Sequence, residues 1–234
     1  TTLFVCLAIA SGCSGLTAQG LNAEGVRLYR QSQYDAALER FEKATALDPR
    51  NADAYYNLAS TYHQLGKVKK NPAYFAQAEQ YYHRCLDYDP NHAACYRALA
   101  VLLVEQGKSQ AAFRLLQNWM VRNPGSPEPK IELARLCEEF GEIDAAENHL
   151  LSALAIDNTN ARALAALGHI RELNGHTIQA LENYQRSLMY DERQPLVAMR
   201  VAALQSHLGL SGQASLPDRG NTRLSARADQ PLRY

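Results

Sequence analysis

Apolar residues recur three and four positions apart through most of the chain, and this spacing predicts helices that bury one face. Leu164, Leu167 and Ile170 give one example of the spacing. Short breaks separate the apolar segments, and most of them contain a glycine or an aspartate followed by proline or asparagine. Glycine favours the left-handed end of a helix, and proline disfavours helix at the residue before it. The pattern therefore predicts antiparallel helix pairs joined by short turns.

The residues that close the second helix of each pair are regularly spaced. They are Pro49, Pro90, Pro124 and Asn158. The last three stand 34 residues apart, at positions 90, 124 and 158. A period of about 34 residues is typical of helix–turn–helix units that stack on their neighbours. The period therefore predicts a chain built from stacked repeats.

Other residue types recur at fixed distances within each repeat and indicate where two helices approach closely. Twelve positions before the closing residue stands an alanine: Ala37, Ala78, Ala112, Ala146 and, in the next repeat, Ala180. Four positions later stands a large apolar residue: Phe41, Tyr82, Leu116, Leu150 and Tyr184. A small residue recurs in the first helix: Gly25, Ala59, Ala100, Ala134, Gly168 and Ala202. A turn glycine follows the first helix: Gly66, Gly107, Gly141, Gly175 and Gly209. Small residues let two helices approach, and the large residues fill the space between them.

These positions resemble the pattern of the tetratricopeptide repeat family. The resemblance implies an all-α fold, a right-handed superhelical solenoid of about five helix–turn–helix repeats with a C-terminal capping helix. We expect the solenoid at 18–208, with repeats at 18–51, 52–92, 93–126, 127–160 and 161–194 and the capping helix at 195–208. The second repeat has seven extra residues, placed at Lys67–Ala73, and we expect them to lengthen the loop between its helices. Trp119 stands where other repeats have a small residue, and we expect it in the core.

The N-terminal segment contains a continuous apolar run at 3–10 that is too short to span a membrane. Its length fits the apolar core of a secretory signal peptide, whose basic start we expect upstream of Thr1. The following Ala10-Ser11-Gly12-Cys13 resembles a bacterial lipobox, so 1–13 would be signal and 14–20 a tether. The resemblance implies lipidation of Cys13 and an outer-membrane lipoprotein facing the periplasm. The alternatives are a cleaved signal, giving a soluble secreted or periplasmic protein, and an uncleaved short anchor.

Charge and composition exclude some functions. The chain has 24 basic and 24 acidic residues, which argues against a nucleic-acid-binding protein. Residues 211–234 are rich in Ser, Gly, Pro, Asp and Arg and lack a helical period, so we expect a disordered tail. A docking role for the tail is the alternative.

The sequence contains few candidates for catalytic, redox or metal-binding residues. Cys85 and Cys137 fall at helix-packing positions and behave as small apolar residues. Cys85 and Cys95 form either a disulfide or two buried thiols. Together with His83 and His92 they lack the paired spacing of structural zinc sites. Haem-attachment, phosphate-loop, HExxH and nucleophile-elbow motifs are missing from the sequence. We therefore expect no enzyme activity, cofactor, metal site or small-molecule substrate.

The family resemblance also implies a concave groove, lined by the first helix of each repeat, that binds a protein or peptide partner. The matching positions are Tyr29, Arg30, Tyr56, His63, Arg97, Arg135, Glu138 and His169. Of these, Tyr56, His63, Arg97 and Arg135 are expected to form the centre of the surface, because Tyr and Arg are favoured at binding hot spots. The same register puts Ile131 on this face. Four other tyrosines are expected to fill the core: Tyr55, Tyr62, Tyr82 and Tyr96.

The resemblance to bacterial tetratricopeptide lipoproteins of this size implies a lipid-anchored scaffold that assists assembly of a pilus or secretion machine. The alternative is an adaptor that recruits a cell-wall hydrolase or protease. In both cases the chain would contact the membrane through its lipid anchor alone.

Overall fold

The computed structural model of the chain describes residues 17–210, which form eleven α-helices and no strand. The helices are α1 (Ala18–Arg30), α2 (Tyr34–Leu47), α3 (Ala52–Lys69), α4 (Pro72–Tyr88), α5 (Ala93–Glu105), α6 (Ser109–Arg122), α7 (Glu128–Glu139), α8 (Ile143–Ile156), α9 (Ala161–Leu173), α10 (Thr177–Tyr190) and α11 (Pro195–His207). The expected all-α repeat fold is confirmed. The predicted signal, Cys13 and the predicted tail at 211–234 lie outside the described residues.

The chain divides into two compact units, and the division falls within α6. In the N-terminal unit, which ends at Ala112, α3 packs against α2, α4 and α5, and α1 packs against α2. α1 also contacts α3, so the first helices of successive repeats lie side by side. In the C-terminal unit, which starts at Phe113, α7 packs against α8 and α9, α9 packs against α10, and α10 packs against α11.

The two helices of a repeat meet where a small residue faces a large one. A Cβ atom added to Gly25 would lie 2.5 Å from the Phe41 ring, and one added to Gly168 would lie 2.8 Å from the Tyr184 ring. Real Cβ atoms do not tolerate such distances, so glycine sets how closely these helices approach. The alanines that recur in the second helices, Ala37, Ala78, Ala112, Ala146 and Ala180, are fully buried.

Side-chain caps and glycine turns fix the helix ends. The Asn51 and Asn160 side chains accept hydrogen bonds from backbone N–H groups at the starts of α3 and α9. His92 does the same for α5, since its Nδ1 lies 3.0 Å from the Cys95 nitrogen and its Nε2 lies 3.1 Å from Asp53 Oδ1. This geometry requires an unprotonated Nδ1. Four turn glycines have φ between 70° and 75°: Gly107, Gly141, Gly175 and Gly209.

The seven extra residues of the second repeat lengthen its helices and not its loop, so the expected long loop is wrong. α3 has 18 residues and α4 has 17, and only Lys70 and Asn71 join them. The Asn71 side chain caps α4, and Pro72 occupies its first turn, where a missing N–H costs nothing. Gly66, expected to be a turn glycine, lies inside α3, where an added Cβ would be 2.6 Å from the Phe75 ring.

The large residues that the sequence assigns to the core are buried, with one exception. Trp119 is 2% exposed, and Tyr62, Tyr82 and Tyr96 are also buried, as expected. Tyr55 is only half-buried, so its assignment to the core is wrong. Tyr55 belongs to a stack of five tyrosine rings between α3 and α4: Tyr88, Tyr55, Tyr81, Tyr62 and Tyr74. The members of this stack stand seven residues apart on each helix. The greater length of α3 and α4 therefore provides room for all five rings.

Candidate protein-binding groove

Two adjoining cavities in the N-terminal unit lie on the face formed by α1, α3 and α5. The first, of about 280 Å³, is lined by Val26, Tyr29, Arg30, Phe41, Tyr56, Asn57 and Ser60. The second, of about 260 Å³, is lined by Tyr29, Tyr56, Ser60, His63, Gln64, Lys67, Tyr82, Ala94, Arg97, Ala98 and Val101. Tyr29, Tyr56 and Ser60 line both cavities, so we treat them as one surface and call it the tyrosine groove.

Helical spacing explains why α3 supplies the floor of the tyrosine groove. Tyr56, Ser60, His63 and Lys67 follow one another at steps of four, three and four residues, which puts them on one face of the helix. Asn57 extends this face towards α1, since its Nδ2 donates to Asn22 Oδ1 over 2.9 Å. The groove therefore rests on helices, which hold their side chains more firmly than loops do.

Aromatic contacts position the central ring of the groove. The Tyr56 ring lies 6.2 Å from the Tyr82 ring and 5.0 Å from the His92 imidazole, measured between centroids. The Ser60 and Tyr82 hydroxyls lie 3.4 Å apart. Burial raises the pKa of Tyr29 and of Tyr82, so both phenols stay neutral at physiological pH. Tyr56 is half-buried and presents both an apolar ring and a polar hydroxyl to the cavity.

One ionic cluster borders the groove. His63 Nε2 lies 2.7 Å from Glu105 Oε2, and Lys67 Nζ lies 2.6 Å from Glu105 Oε1. Burial lowers the pKa of His63 and outweighs the opposing effect of the Glu105 carboxylate. Burial raises the pKa of Glu105, but the hydrogen bonds from Lys67 and His63 lower it further, so the net pKa is below its ordinary value. Glu105 is therefore an ionised carboxylate that contacts two cationic or donor groups.

The lining of the tyrosine groove is basic. Arg30, Lys67 and Arg97 in the lining carry positive charge, and Lys67 is paired with the Glu105 carboxylate at the border of the groove. Arg97 is half-buried and lies four residues from Val101 on the same face of α5. Such a surface combines apolar contact area with hydrogen-bond donors and favours acidic ligands.

The structure brings five of the eight predicted groove residues together. Tyr29, Arg30, Tyr56, His63 and Arg97 all line the tyrosine groove. Sequence reasoning missed Lys67, which it had placed in an insertion loop. It also assigned Tyr82 to the core alone, although the buried ring lines the second cavity. The signal for Lys67 was its position four residues after His63.

The other three predicted residues, Arg135, Glu138 and His169, lie in the C-terminal unit. His169 Nε2 is 3.0 Å from Glu138 Oε1, and Arg135 Nη1 is 3.3 Å from Glu139 Oε2. Ile131, expected on the groove face, is fully buried in the core. The placement of Ile131 is therefore wrong.

A buried carboxylate that sequence reasoning did not single out organises these C-terminal charges. The Glu132 side chain is 1% exposed, with Arg162 Nη2 at 2.7 Å from Oε1 and Arg135 Nε at 3.4 Å from Oε2. Contacts with neighbouring side chains already engage the three predicted residues of this unit.

Four family models match the chain. One, described as a TPR repeat, matches residues 25–66, and three, described as a tetratricopeptide repeat, match 52–92, 73–127 and 103–170. The chain belongs to the tetratricopeptide repeat family. Tetratricopeptide repeats bind protein or peptide partners and are typically non-catalytic scaffolds. This tetratricopeptide repeat protein is accordingly a protein–protein interaction scaffold.

Among curated relatives, human protein O-mannosyl-transferase TMTC1 is 22% identical over 191 residues. The match covers 80% of this chain but 21% of TMTC1. The chain spans about a fifth to a third of the length of the curated relatives that it matches. The transferase activity in the name of TMTC1 is a property of that much longer protein.

Solved structures show the same fold. TTC0263 of Thermus thermophilus, a thermophilic TPR protein, aligns with a TM-score of 0.61 and 26% identity, covering 81% of this chain and 100% of that protein. PilF of Pseudomonas aeruginosa aligns with a TM-score of 0.56 and 15% identity, covering 83% of this chain and 85% of that one.

None of the helices between residues 17 and 210 combines the length and apolar character needed to cross a bilayer. Across the same residues, no group of three or more His, Cys, Asp or Glu side chains is placed to hold a metal ion.

Proposed function

We propose that the tyrosine groove is the partner-binding site of this scaffold and that it takes an extended peptide segment of another protein. The observation that carries the proposal is the composition of the groove: tyrosine rings and basic side chains line two adjoining cavities, and the Glu105 carboxylate at their border is paired with Lys67. Tyrosine and arginine combine contact area with hydrogen bonding, which is why they recur at binding hot spots.

The chemistry of the groove indicates the chemistry of the segment. Arg30 and Arg97 favour an acidic side chain or a terminal carboxylate. Tyr29 and Tyr56 favour an apolar or aromatic side chain beside it. Asn57 and Ser60 offer polar groups to the backbone of the segment. The expected ligand is thus a short peptide in which an acidic group stands close to apolar residues.

We also propose that the scaffold works in a bacterial envelope, as an outer-membrane lipoprotein facing the periplasm and anchored through Cys13. The apolar run at 3–10 and the lipobox-like Ala10-Ser11-Gly12-Cys13 support this proposal. Several acyl chains on one cysteine hold a protein to a bilayer, because each buried CH₂ contributes about 0.8 kcal/mol. The partner would be a component of a pilus or secretion machine, and the alternative partner is a cell-wall hydrolase or protease.

The groove is tested by site-specific crosslinking in cells. A photoreactive amino acid at Ser60 lies inside the groove, whereas one at Gln80 lies on the exposed surface of α4. A partner captured through position 60 but not position 80 would support the proposal, and mass spectrometry would identify it. Equal capture from both positions would contradict it.

Binding of the identified segment is then measured for matched variants. Tyr56→Ala and Arg97→Ala should each weaken binding by about tenfold or more, a hot-spot effect. The controls are Tyr88→Ala and Arg84→Ala, which remove the same residue types from the exposed part of α4. Circular dichroism should stay unchanged in all four variants. Unaltered binding by Tyr56→Ala and Arg97→Ala would refute the groove assignment.

The anchor is tested separately by Cys13→Ser. The variant should move from the membrane fraction to the soluble fraction, while its binding to the segment stays intact. Continued membrane association would refute lipidation at this residue. Capture of secretin or pilus components at position 60 favours the assembly role, and capture of a hydrolase or protease favours the adaptor role.

A further inference from the structure

The last described helix, α11, is the first helix of a further repeat. It starts 34 residues after α9, at 195 and 161 respectively. Gly209 follows α11 with φ 70°, just as Gly175 follows α9 with φ 75° and Gly141 follows α7 with φ 74°. In both complete repeats the turn glycine is followed two residues later by the second helix.

Each of the helices α7 and α9 buries the face that packs against the second helix of its own repeat. On α9 it contains Ala165, 4% exposed, and Gly168, which contacts the Tyr184 ring of α10. On α7 it contains Ile131 and Ala134, which pack in one core with Ala146 and Leu150 of α8, all fully or almost fully buried.

The same face of α11 is exposed. Adding 34 to Ala165 and Gly168 gives Met199 and Ala202; Met199 is 50% exposed, and Ala202 is also exposed. The opposite face is not, since Val197 and Leu204 are buried against α10. The end of a repeat array is normally polar on its outer side, because it meets water. An apolar outer face, made here of Met199 and Ala202 with Ala198 beside them, is typical of an interaction surface.

The sequence after Gly209 departs from the residue pattern that the second helices of the other repeats share. In α8 and α10 the large apolar residue stands nine residues after the turn glycine, as Leu150 after Gly141 and Tyr184 after Gly175. Nine residues after Gly209 stands Asp218, preceded by Pro217. Proline inside a helix costs about 3 kcal/mol, and a buried unpaired carboxylate is more costly still.

We propose that the outer face of α11 binds an amphipathic helix of a partner protein, which completes the repeat by occupying the place that α10 takes on α9. The five internal repeats define its chemistry. It carries a small residue and, four residues later, a large apolar or aromatic residue that packs on Ala202, as Ala180 and Tyr184 do in α10. This surface shares no residue with the tyrosine groove, so the inference does not depend on the proposed function.

The probe is a fluorescent peptide with the α10 sequence, residues 176–191, crosslinked between exposed side chains to keep it helical. Fluorescence anisotropy follows its binding to the full chain. We expect saturable binding that weakens by about tenfold or more with Ala202→Glu, because the charge would be buried beneath the probe. The matched control is Ala203→Glu, which puts the same charge on the neighbouring exposed residue and should keep the affinity. A probe carrying Tyr184→Asp should not bind.

Four results would overturn the proposal. The first is that the helical probe does not bind the wild-type chain, and the second is that it binds the Ala202→Glu chain equally well. The third is a dimer of the chain in sedimentation that Ala202→Glu dissociates, which would make a second copy the occupant. The fourth is a reaction of a photocrosslinker at position 199 with residues 211–234 of the same chain, which would make that segment the occupant.

Discussion

His63 Nε2 lies 2.7 Å from Glu105 Oε2, and this contact joins α3 to α5 at the border of the tyrosine groove. The imidazole is buried, and the carboxylate is shared with Lys67. A group needed for the packing of two helices therefore titrates next to the surface proposed to bind the partner. The contact makes the stability of the fold depend on pH in a defined direction.

Stability is expected to fall as the pH drops below about 6.5. Burial lowers the pKa of His63 from its ordinary 6.5, so the unfolded chain takes up this proton first. The contribution is complete above about pH 6.5 and is lost as the pH falls through the lowered pKa. His149, whose pKa burial also lowers, adds to the same slope. The lowered pKa of Glu105 acts in the same direction, but below its ordinary value of 4.5.

The measurement is a series of urea titrations between about pH 7.5 and about pH 5.5, a range that spans the ordinary pKa of histidine. His63→Gln should show a smaller loss of unfolding free energy across this range than the wild-type chain. His207→Gln, at an exposed position, should keep the full loss. An unchanged slope in His63→Gln would show that His63 has the same pKa in the folded and unfolded chains.

Gly168→Ala is expected to destabilise the C-terminal unit. The new Cβ would lie 2.8 Å from the Tyr184 ring, and Tyr184 is fully buried, so the two helices must separate. Overpacking of this kind costs about 1–3 kcal/mol. Gly125→Ala is the control, because its Cβ would meet nothing within 4 Å, and its effect should stay within about 0.5 kcal/mol. Equal melting temperatures for the two variants would contradict the prediction.

The fold was predictable because its determinants are local and repeated. The spacing of apolar residues, the turn glycines and the closing residues each depend on a few neighbouring positions. The second repeat shows where this fails. Gly66 occupies the turn position of the other repeats, yet its missing side chain is used to admit Phe75. The capping residue Asn71 and the following Pro72 were the better evidence for the start of α4.

The candidate site was predictable only in part, because one repeat position can hold either a groove or a core side chain. Arg97 and Ile131 stand 34 residues apart at the same position of successive repeats. Arg97 lines the groove, whereas Ile131 is fully buried. A long arginine can bury its apolar stem and keep its charge in water, but an isoleucine gains most by staying in the core. The position within the repeat identifies the helix face on which a residue lies. The type of side chain then decides whether the residue lines the groove or packs in the core.

Buried thiols are expected to react slowly in the folded chain. Cys95 Sγ donates to the Tyr82 carbonyl over 3.2 Å, and both Cys85 and Cys95 are fully buried. The hydrogen bond with the Cys85 thiol and burial raise the pKa of Cys95, so little reactive thiolate forms. Burial and Glu142 raise the pKa of Cys137 only to about 11.

Alkylation with iodoacetamide, followed residue by residue with mass spectrometry, measures these rates. Cys137 should react before Cys95 in the folded chain, and all three thiols should react at similar rates in urea. Mass spectrometry of the same peptides also shows whether Cys85 and Cys95 form a disulfide when the chain refolds with oxidised glutathione. Cys137 is not expected to take part in that disulfide. Rapid alkylation of Cys95 in the folded chain would contradict its burial.

Glu132→Gln is expected to cost the C-terminal unit about 1–3 kcal/mol. The change removes the negative charge that Arg135 and Arg162 share, and it leaves two partly buried guanidinium groups with less compensation. Glu139→Gln is the control: Glu139 also pairs with Arg135, but its side chain is 46% exposed, so its loss should cost no more than about 1 kcal/mol. Thermal melts of both variants give the comparison. A Glu132→Gln chain as stable as the control would mean that Arg135 is not held by the buried carboxylate.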